Sequence, residues 1–365
     1  MNAPRLEIDL DKIRHNARTL VERLAARNIS VTGVTKATLG SPSIANALIS
    51  AGVGGLGDSR IENIEAMRDE NVSGSMTLIR SPMLSDVARV ARYADVSFNT
   101  EITVIKALSR AARDARRTHS VVLMVELGDL REGIMPADLE DMVRAVLRLP
   151  NVILGGIGAN LACHGGVAPD AGNMNELSAL AASLERTFSM RIALVSGGNS
   201  ANLAWALGDA DTGRINNLRL GESILLGCEP LHRQPIDGLH TDAITLVAEV
   251  IEAKIKPSKP WGTIAQTAFG EAAVAEDRGD ILRAILAVGR QDIDPAGLKA
   301  PSGIKILGAS GDHLVIDCGK EIIAVGGEMR FGLNYSALVR AITSPFITKA
   351  MKTTAYAEPR ADSIH

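Results

Sequence analysis

The stretch "SVTGVTKATLG", Ser30–Gly40, opens on an apolar, glycine-bearing run and ends in a turn that carries a single lysine, Lys36. A short Val/Gly run closed by a turn reads as a strand buried on both faces. The same texture returns in "VGGLGDS" (Val53–Ser59), "MTLIRSP" (Met76–Pro82), "DVSFNT" (Asp95–Thr100) and "SVVLMVELG" (Ser120–Gly128). It continues in "VILGGIGANLA" (Val152–Ala162), "RIALVSGG" (Arg191–Gly198) and "INNLRLGES" (Ile215–Ser223). Charged segments with helical spacing separate these runs, such as Ile102–Arg117 and Met174–Phe188. A helix over Asp11–Ala26 precedes the first run, with Asp9 placed to cap it. Eight strand–helix units predict an α/β fold, a (β/α)8 barrel. A doubly wound sheet, which usually has fewer repeats, is the second choice.

The texture changes after "RQPIDGLHTD", Arg233–Asp242. Alternating apolar runs follow without long helices, in Ala243–Pro257, Ile281–Ile293, Gly303–Gly319 and Glu321–Leu333. They predict a smaller C-terminal β-rich domain, so the chain divides into a barrel over 1–235 and a β-domain over 236–365. The tail "AYAEPRADSIH", Ala355–His365, is expected to be loosely packed.

Composition narrows the function. The chain has 365 residues, of which 46% are apolar, enough for a substantial core. A net charge of −3 and only 3% aromatics argue against nucleic-acid and anionic-membrane partners. Cys163, Cys228 and Cys318 are odd in number and widely spaced, which speaks against a disulfide scaffold or a zinc site. The N-terminus has acidic residues where a signal peptide needs an apolar core, and no run approaches a membrane span. A soluble, cytoplasmic protein is expected.

Polar residues gather where the barrel strands end: Lys36, Asp58, Arg60, Glu126, Arg131, Asn160, Asn199, Ser200 and Arg219. In a barrel those ends share one mouth, the usual place of the active site. Lys36 has two readings. One is a rim lysine that snorkels to solvent. The other is a Schiff-base lysine, because desolvation makes the amine nucleophilic toward an aldehyde such as pyridoxal 5'-phosphate (PLP). PLP needs backbone amides and a hydroxyl for its phosphate. "SGGNSANL" offers Ser200 at a helix start, and "RLGES" offers the amides of Gly221 and Glu222. Arg219 suits the ring nitrogen, with a structural salt bridge as the other reading.

These segments, taken in order, resemble the alanine racemase-like (fold type III) PLP enzymes, above all the alanine/ornithine racemase family. "LEIDLDKIRHN", "VTKATLG", "LGDSRIEN", "VELGDLREGI", "GIGANLACHGG", "SGGNSANL", "LRLGESILLG", "VGRQDID" and "LNYSALVRAITSPF" carry the resemblance along nearly the whole chain. It implies that Lys36 binds PLP covalently and is one catalytic base. It implies that Arg219 faces the pyridine nitrogen, and that Ser200 with the amides of Gly221 and Glu222 holds the phosphate. Arg131 corresponds to the arginine near the cofactor hydroxyl and the substrate carboxylate. Asn160 stands where alanine racemases place a histidine against the ring. Gly311 and Asp312 match the segment that reaches the substrate from a partner subunit in a head-to-tail homodimer. The implied activity is amino-acid racemisation, for a basic (ornithine or lysine) or broad range of substrates.

The chain departs from alanine racemases at the second base, a tyrosine in that family. "PWGTIAQTAFGE", Pro260–Glu271, contains none, and Tyr93, Tyr335 and Tyr356 lie in other contexts. His313 is the candidate for the second catalytic base, since histidine titrates near neutral pH. Cys163 and His164 lack further ligands at metal spacing. Asp129, Glu132 and Glu222 are candidates to recognise a cationic substrate side chain, or else are solvated or paired within the fold. Two other functions compete. A non-catalytic PLP-binding or homeostasis protein is a single barrel in related chains, unlike this one. A D-threonine aldolase-like lyase or a decarboxylase needs a metal or other site motifs.

Overall fold

The computed structural model describes residues 2–270 and 276–353. The chain forms two compact units. One is Ile13–Thr241, and the other joins the residues up to Lys12 to those from Asp242 onward.

The chain starts with strand β1 (Arg5–Asp9) and a helix over Leu10–Ala25, followed by β2 (Ser30–Val34), β3 (Gly55–Asp58), β4 (Met76–Leu78) and β5 (Val96–Asn99). Then come β6 (His119–Met124), β7 (Val152–Gly158), β8 (Leu194–Gly198) and β9 (Asn217–Leu220). Strands β2 to β9 are parallel and close into a barrel, the last pairing with the first through Ser30 and Asn217. The expected eight-stranded barrel is therefore present, and the doubly wound sheet is not.

Local chemistry explains the helix starts. Asp9 Oδ1 accepts the amides of Asp11 and Lys12 at 3.1 and 3.0 Å. The helix Ala171–Phe188 starts three residues before the apolar periodicity becomes visible at Met174, because Asp170 and Asn173 close a capping box.

The barrel interior is divided in character. Phe98, Val122 and Met124, on β5 and β6, pack together with Ile79 and Leu194. The β8–β9–β2 side carries hydrogen-bonded polar side chains. Ser196 donates to Asn217 Oδ1 at 2.8 Å, and Asn217 Nδ2 donates to Thr32 Oγ1 at 3.0 Å and Ser30 Oγ at 3.1 Å. The Arg219 guanidinium on β9 lies 5.1 Å from the ring centroid of Phe98 on β5. These strands are not neighbours, so the contact crosses the interior and places Arg219 there.

The second unit is an antiparallel sheet with one parallel pair. Its strands are β1, β10 (Ile244–Pro257), β11 (Asp280–Leu286), β12 (Leu298–Lys299), β13 (Lys305–Ala309), β14 (Leu314–Asp317), β15 (Glu328–Leu333) and β16 (Thr348–Lys352). Their order is β12-β15-β10-β11-β14-β13, and β1 lies between β10 and β16. The β-rich domain is thus present, with the N-terminal strand built into its sheet. On β1, Leu6 and Ile8 are fully buried, while Arg5 and Glu7 bond each other and the charged residues Glu328, Arg330 and Lys352. A nine-residue helix, Tyr335–Thr343, starts at Asn334, whose Oδ1 accepts the Ala337 amide at 3.0 Å.

Among the described residues no helix is long and apolar enough to cross a membrane. The tail Ala355–His365 lies outside the described residues.

Candidate active site

Strand β2 delivers Lys36 to the barrel mouth, where a tight turn follows at once. The Thr35 carbonyl accepts the Thr38 amide and hydroxyl, each at 2.9 Å, and the Gly40 amide at 3.3 Å. Gly40 sits at φ +64°, and a Cβ there would stand 2.7 Å from Asn63 Cβ, so the turn excludes any side chain. Lys36 is accessible from the mouth. Protein nevertheless surrounds much of it, and this desolvation pulls its ammonium below the ordinary 10.5. Cys163 opposes the shift, Arg131 and Arg219 add to it, and Asp58 opposes it.

Arg219 is 5% exposed, and among the described residues no carboxylate hydrogen-bonds to it. Its partners are neutral: Ser196 Oγ at 2.6 Å, the Ala159 carbonyl at 2.8 Å and Asn160 Oδ1 at 3.1 Å. Burial, with Arg131 adding repulsion, lowers its pKa to about 10, so the group remains a cation at neutral pH. Asn160 Oδ1 also accepts from Asn199 Nδ2 at 3.2 Å, which fixes the amide. The Asn160 Nδ2 that remains is buried and has no partner among the described residues. Arg219 and Asn160 therefore form an unfinished pair: a cation without an anion, and a donor without an acceptor.

Ser200 opens the short turn Ser200–Asn202 after β8, and Asn199 caps it by accepting the Ala201 amide at 2.8 Å. The Ser200 hydroxyl lies 2.9 Å from that of Ser223 and accepts the Ser223 amide at 3.2 Å. Ser223 was not singled out from the sequence, because only the closure of β8 on β9 makes it a neighbour of Ser200. The helix Glu222–Leu226 starts at Gly221, and its first amides have no acceptor within the helix. The Glu222 side chain pairs with Arg233 and leaves its amide as the group at the mouth.

Arg131 follows β6. It forms a two-pronged pair with Glu132, and its Nη1 lies against Cys163 Sγ. Asp129 is buried and accepts the amides of His164, Cys163 and Val167 at 2.8, 3.3 and 3.3 Å. It organises the loop after β7. The three carboxylates considered for a cationic substrate are thus engaged: Asp129 with amides, Glu132 with Arg131 and Glu222 with Arg233.

Gly311, Asp312 and His313 lie in the second unit, on the connection from β13 to β14. The loop after β11 braces them: the amides of Arg290 and Gln291 donate to the carbonyls of Ser310 and Gly311 at 2.9 and 2.8 Å. His313 Nδ1 is 2.7 Å from Asp312 Oδ1, and both side chains are exposed. Tyr93 ends the helix Val87–Tyr93, Tyr335 starts the helix Tyr335–Thr343, and Tyr356 lies outside the described residues. One unit therefore gathers Lys36, Arg131, Asn160, Ser200, Arg219, Gly221 and Glu222, and the other holds Gly311, Asp312 and His313.

Comparison with known proteins places this geometry. A profile of the alanine racemase N-terminal domain matches residues 8–230. The chain is 39% identical to the ornithine racemase of Acetoanaerobium sticklandii, over 95% of this chain and 99% of that one. It is 38% identical to the lysine racemase of Thermotoga maritima, over 95% and 98%. Alanine racemase from Streptomyces coelicolor A3(2) shares the fold, with a TM-score of 0.75 at 20% identity over 95% of this chain and 97% of that one. With the profile spanning more than half of the sequence and both relatives matching nearly all of it, the chain belongs to the alanine racemase family of fold type III, PLP-dependent enzymes.

Proposed function

We propose that the protein is a PLP-dependent racemase that interconverts the L and D forms of a basic amino acid, ornithine or lysine. One observation carries the reading: among the described residues Arg219 is a buried cation that bonds neutral acceptors and no carboxylate, in the same barrel mouth as an amine whose charge is disfavoured. The ornithine and lysine racemases that the chain resembles along its length support the substrate class.

The residues of the mouth fit the cofactor. Lys36 would bind its aldehyde, Arg219 would face its ring nitrogen, and the Asn160 Nδ2 that lacks a partner would gain one. Ser200 and the amides of Gly221 and Glu222 would hold the phosphate. Arg131 would serve the cofactor hydroxyl and the substrate carboxylate. When bound, PLP supplies the electron sink that lets a Cα proton leave. A guanidinium offers donors and no acceptor, so Arg219 would leave the facing nitrogen without a proton. Lys36, with its lowered proton affinity, would take or return the Cα proton on one face.

The second face requires another donor, and His313 is our choice. It would come from a second copy of the chain with Gly311 and Asp312 at the substrate carboxylate, in a head-to-tail homodimer. The second unit exposes Trp261 (82%) and Ile322 (99%), large apolar surfaces that suit association. Three cysteines, with no disulfide among the described residues, suit a reducing cytoplasm.

The test is incubation of the holoenzyme with L-ornithine or L-lysine in deuterium oxide. Deuterium should enter Cα while the circular dichroism of the substrate decays to zero. If the holoenzyme exchanges no Cα proton on any of the twenty amino acids, the proposal fails.

A further inference from the structure

We infer that Asp58 is a positioning residue for Lys36, acting through the Thr35 hydroxyl. The inference rests on the proposed role of Lys36.

Asp58 ends β3, the strand beside β2, and is fully buried. Its Oδ2 accepts the hydroxyl of Thr35 at 2.7 Å. Its Oδ1 accepts the Arg60 amide and Asn63 Nδ2, both at 2.9 Å. Thr35 is itself fully buried and directly precedes Lys36. One carboxylate therefore ties together the turn that presents the lysine and the segment from Arg60 to Asn63, against which Gly40 packs.

Among the described residues Asp58 forms no ion pair, and a buried charge without a partner is costly. Burial accordingly raises its pKa, against hydrogen bonds from Thr35, Arg60, Asn63 and Ser59 that favour ionisation. A carboxylate is kept here because both of its oxygens meet donors. An amide has one acceptor oxygen, and its NH2 would face a donor.

The test uses the holoenzyme and follows kcat beside the bound cofactor's visible absorbance. Asp58→Asn replaces one acceptor oxygen with an NH2 and should lower kcat about tenfold or more. Thr35→Val removes the hydroxyl that joins Asp58 to the turn, so kcat should fall in the same way while the cofactor band stays. Thr35→Ser restores the hydroxyl and should restore kcat. Wild-type kcat in Asp58→Asn overturns the inference. If that variant does not fold, wild-type kcat in Thr35→Val overturns it. Lys36→Ala is the separate control: an absorbance band that survives it overturns the cofactor reading itself, and this inference with it.

Discussion

At the scale of single residues, the site is legible where chemistry is unusual for its place. A lysine ending a buried strand, an arginine inside another and a serine after paired glycines stand out against an apolar background. Their partners do not stand out. Ser196 and Ser223 are ordinary polar residues until barrel closure brings them to Arg219 and Ser200. Ser223, for instance, lies 23 positions from Ser200 along the chain. The neutral bonding of Arg219 leads to a prediction. Ser196→Ala removes the acceptor of Arg219 Nη1 within the barrel. It should cost about 1–3 kcal/mol in urea unfolding and weaken PLP binding in a fluorescence titration. Unchanged stability and affinity would mean that the guanidinium is held by its other bonds alone.

At the scale of elements, the eight barrel strands were readable because parallel strands buried on both faces are continuous apolar runs. Strand β1 was not. Only Leu6 and Ile8 mark it as a strand, and its charged residues make sense only beside Glu328, Arg330 and Lys352, more than three hundred positions away. Glu7 is held well below the usual carboxylate range, first by Arg330, with Lys352 and Arg5 adding to this against the cost of burial. A depressed carboxyl pKa adds stability above its unfolded value, and that stability is lost as pH falls through the folded value. Glu7→Ala should therefore destabilise the second unit by about 3 kcal/mol at neutral pH, measured by calorimetry.

His119 has the opposite chemistry at the start of β6. It is buried with Nε2 2.7 Å from Ser97 Oγ, and desolvation, aided by Arg117, lowers its pKa from 6.5 to about 4. The unfolded chain binds this proton first. The contribution is complete above pH 6.5, is lost as pH falls from 6.5 towards 4, and levels off below that. His119→Gln should reduce the acid sensitivity of thermal unfolding across this window. An unchanged slope would show that the ring is already solvated.

At the scale of the whole molecule, the sequence resolved two domains and their order. It could not show that the N-terminal strand joins the second sheet, since that pairing depends on strands β10 and β16 near the far end of the chain. The proposed mechanism draws His313 from a second copy of the chain, so it predicts a homodimer. Analytical ultracentrifugation should report a dimer. His313→Ala should then lose racemisation while keeping cofactor absorbance, and full activity in that variant would remove His313 from the second face.

The central claim is that β2 ends in the lysine that carries the cofactor. Borohydride reduction of the holoenzyme, followed by peptide mass spectrometry, tests it directly. The pyridoxyl phosphate mass should fall on the peptide that contains Lys36, and Lys36→Ala should carry no label. A label on any other lysine, or no label on a yellow holoenzyme, would contradict the account.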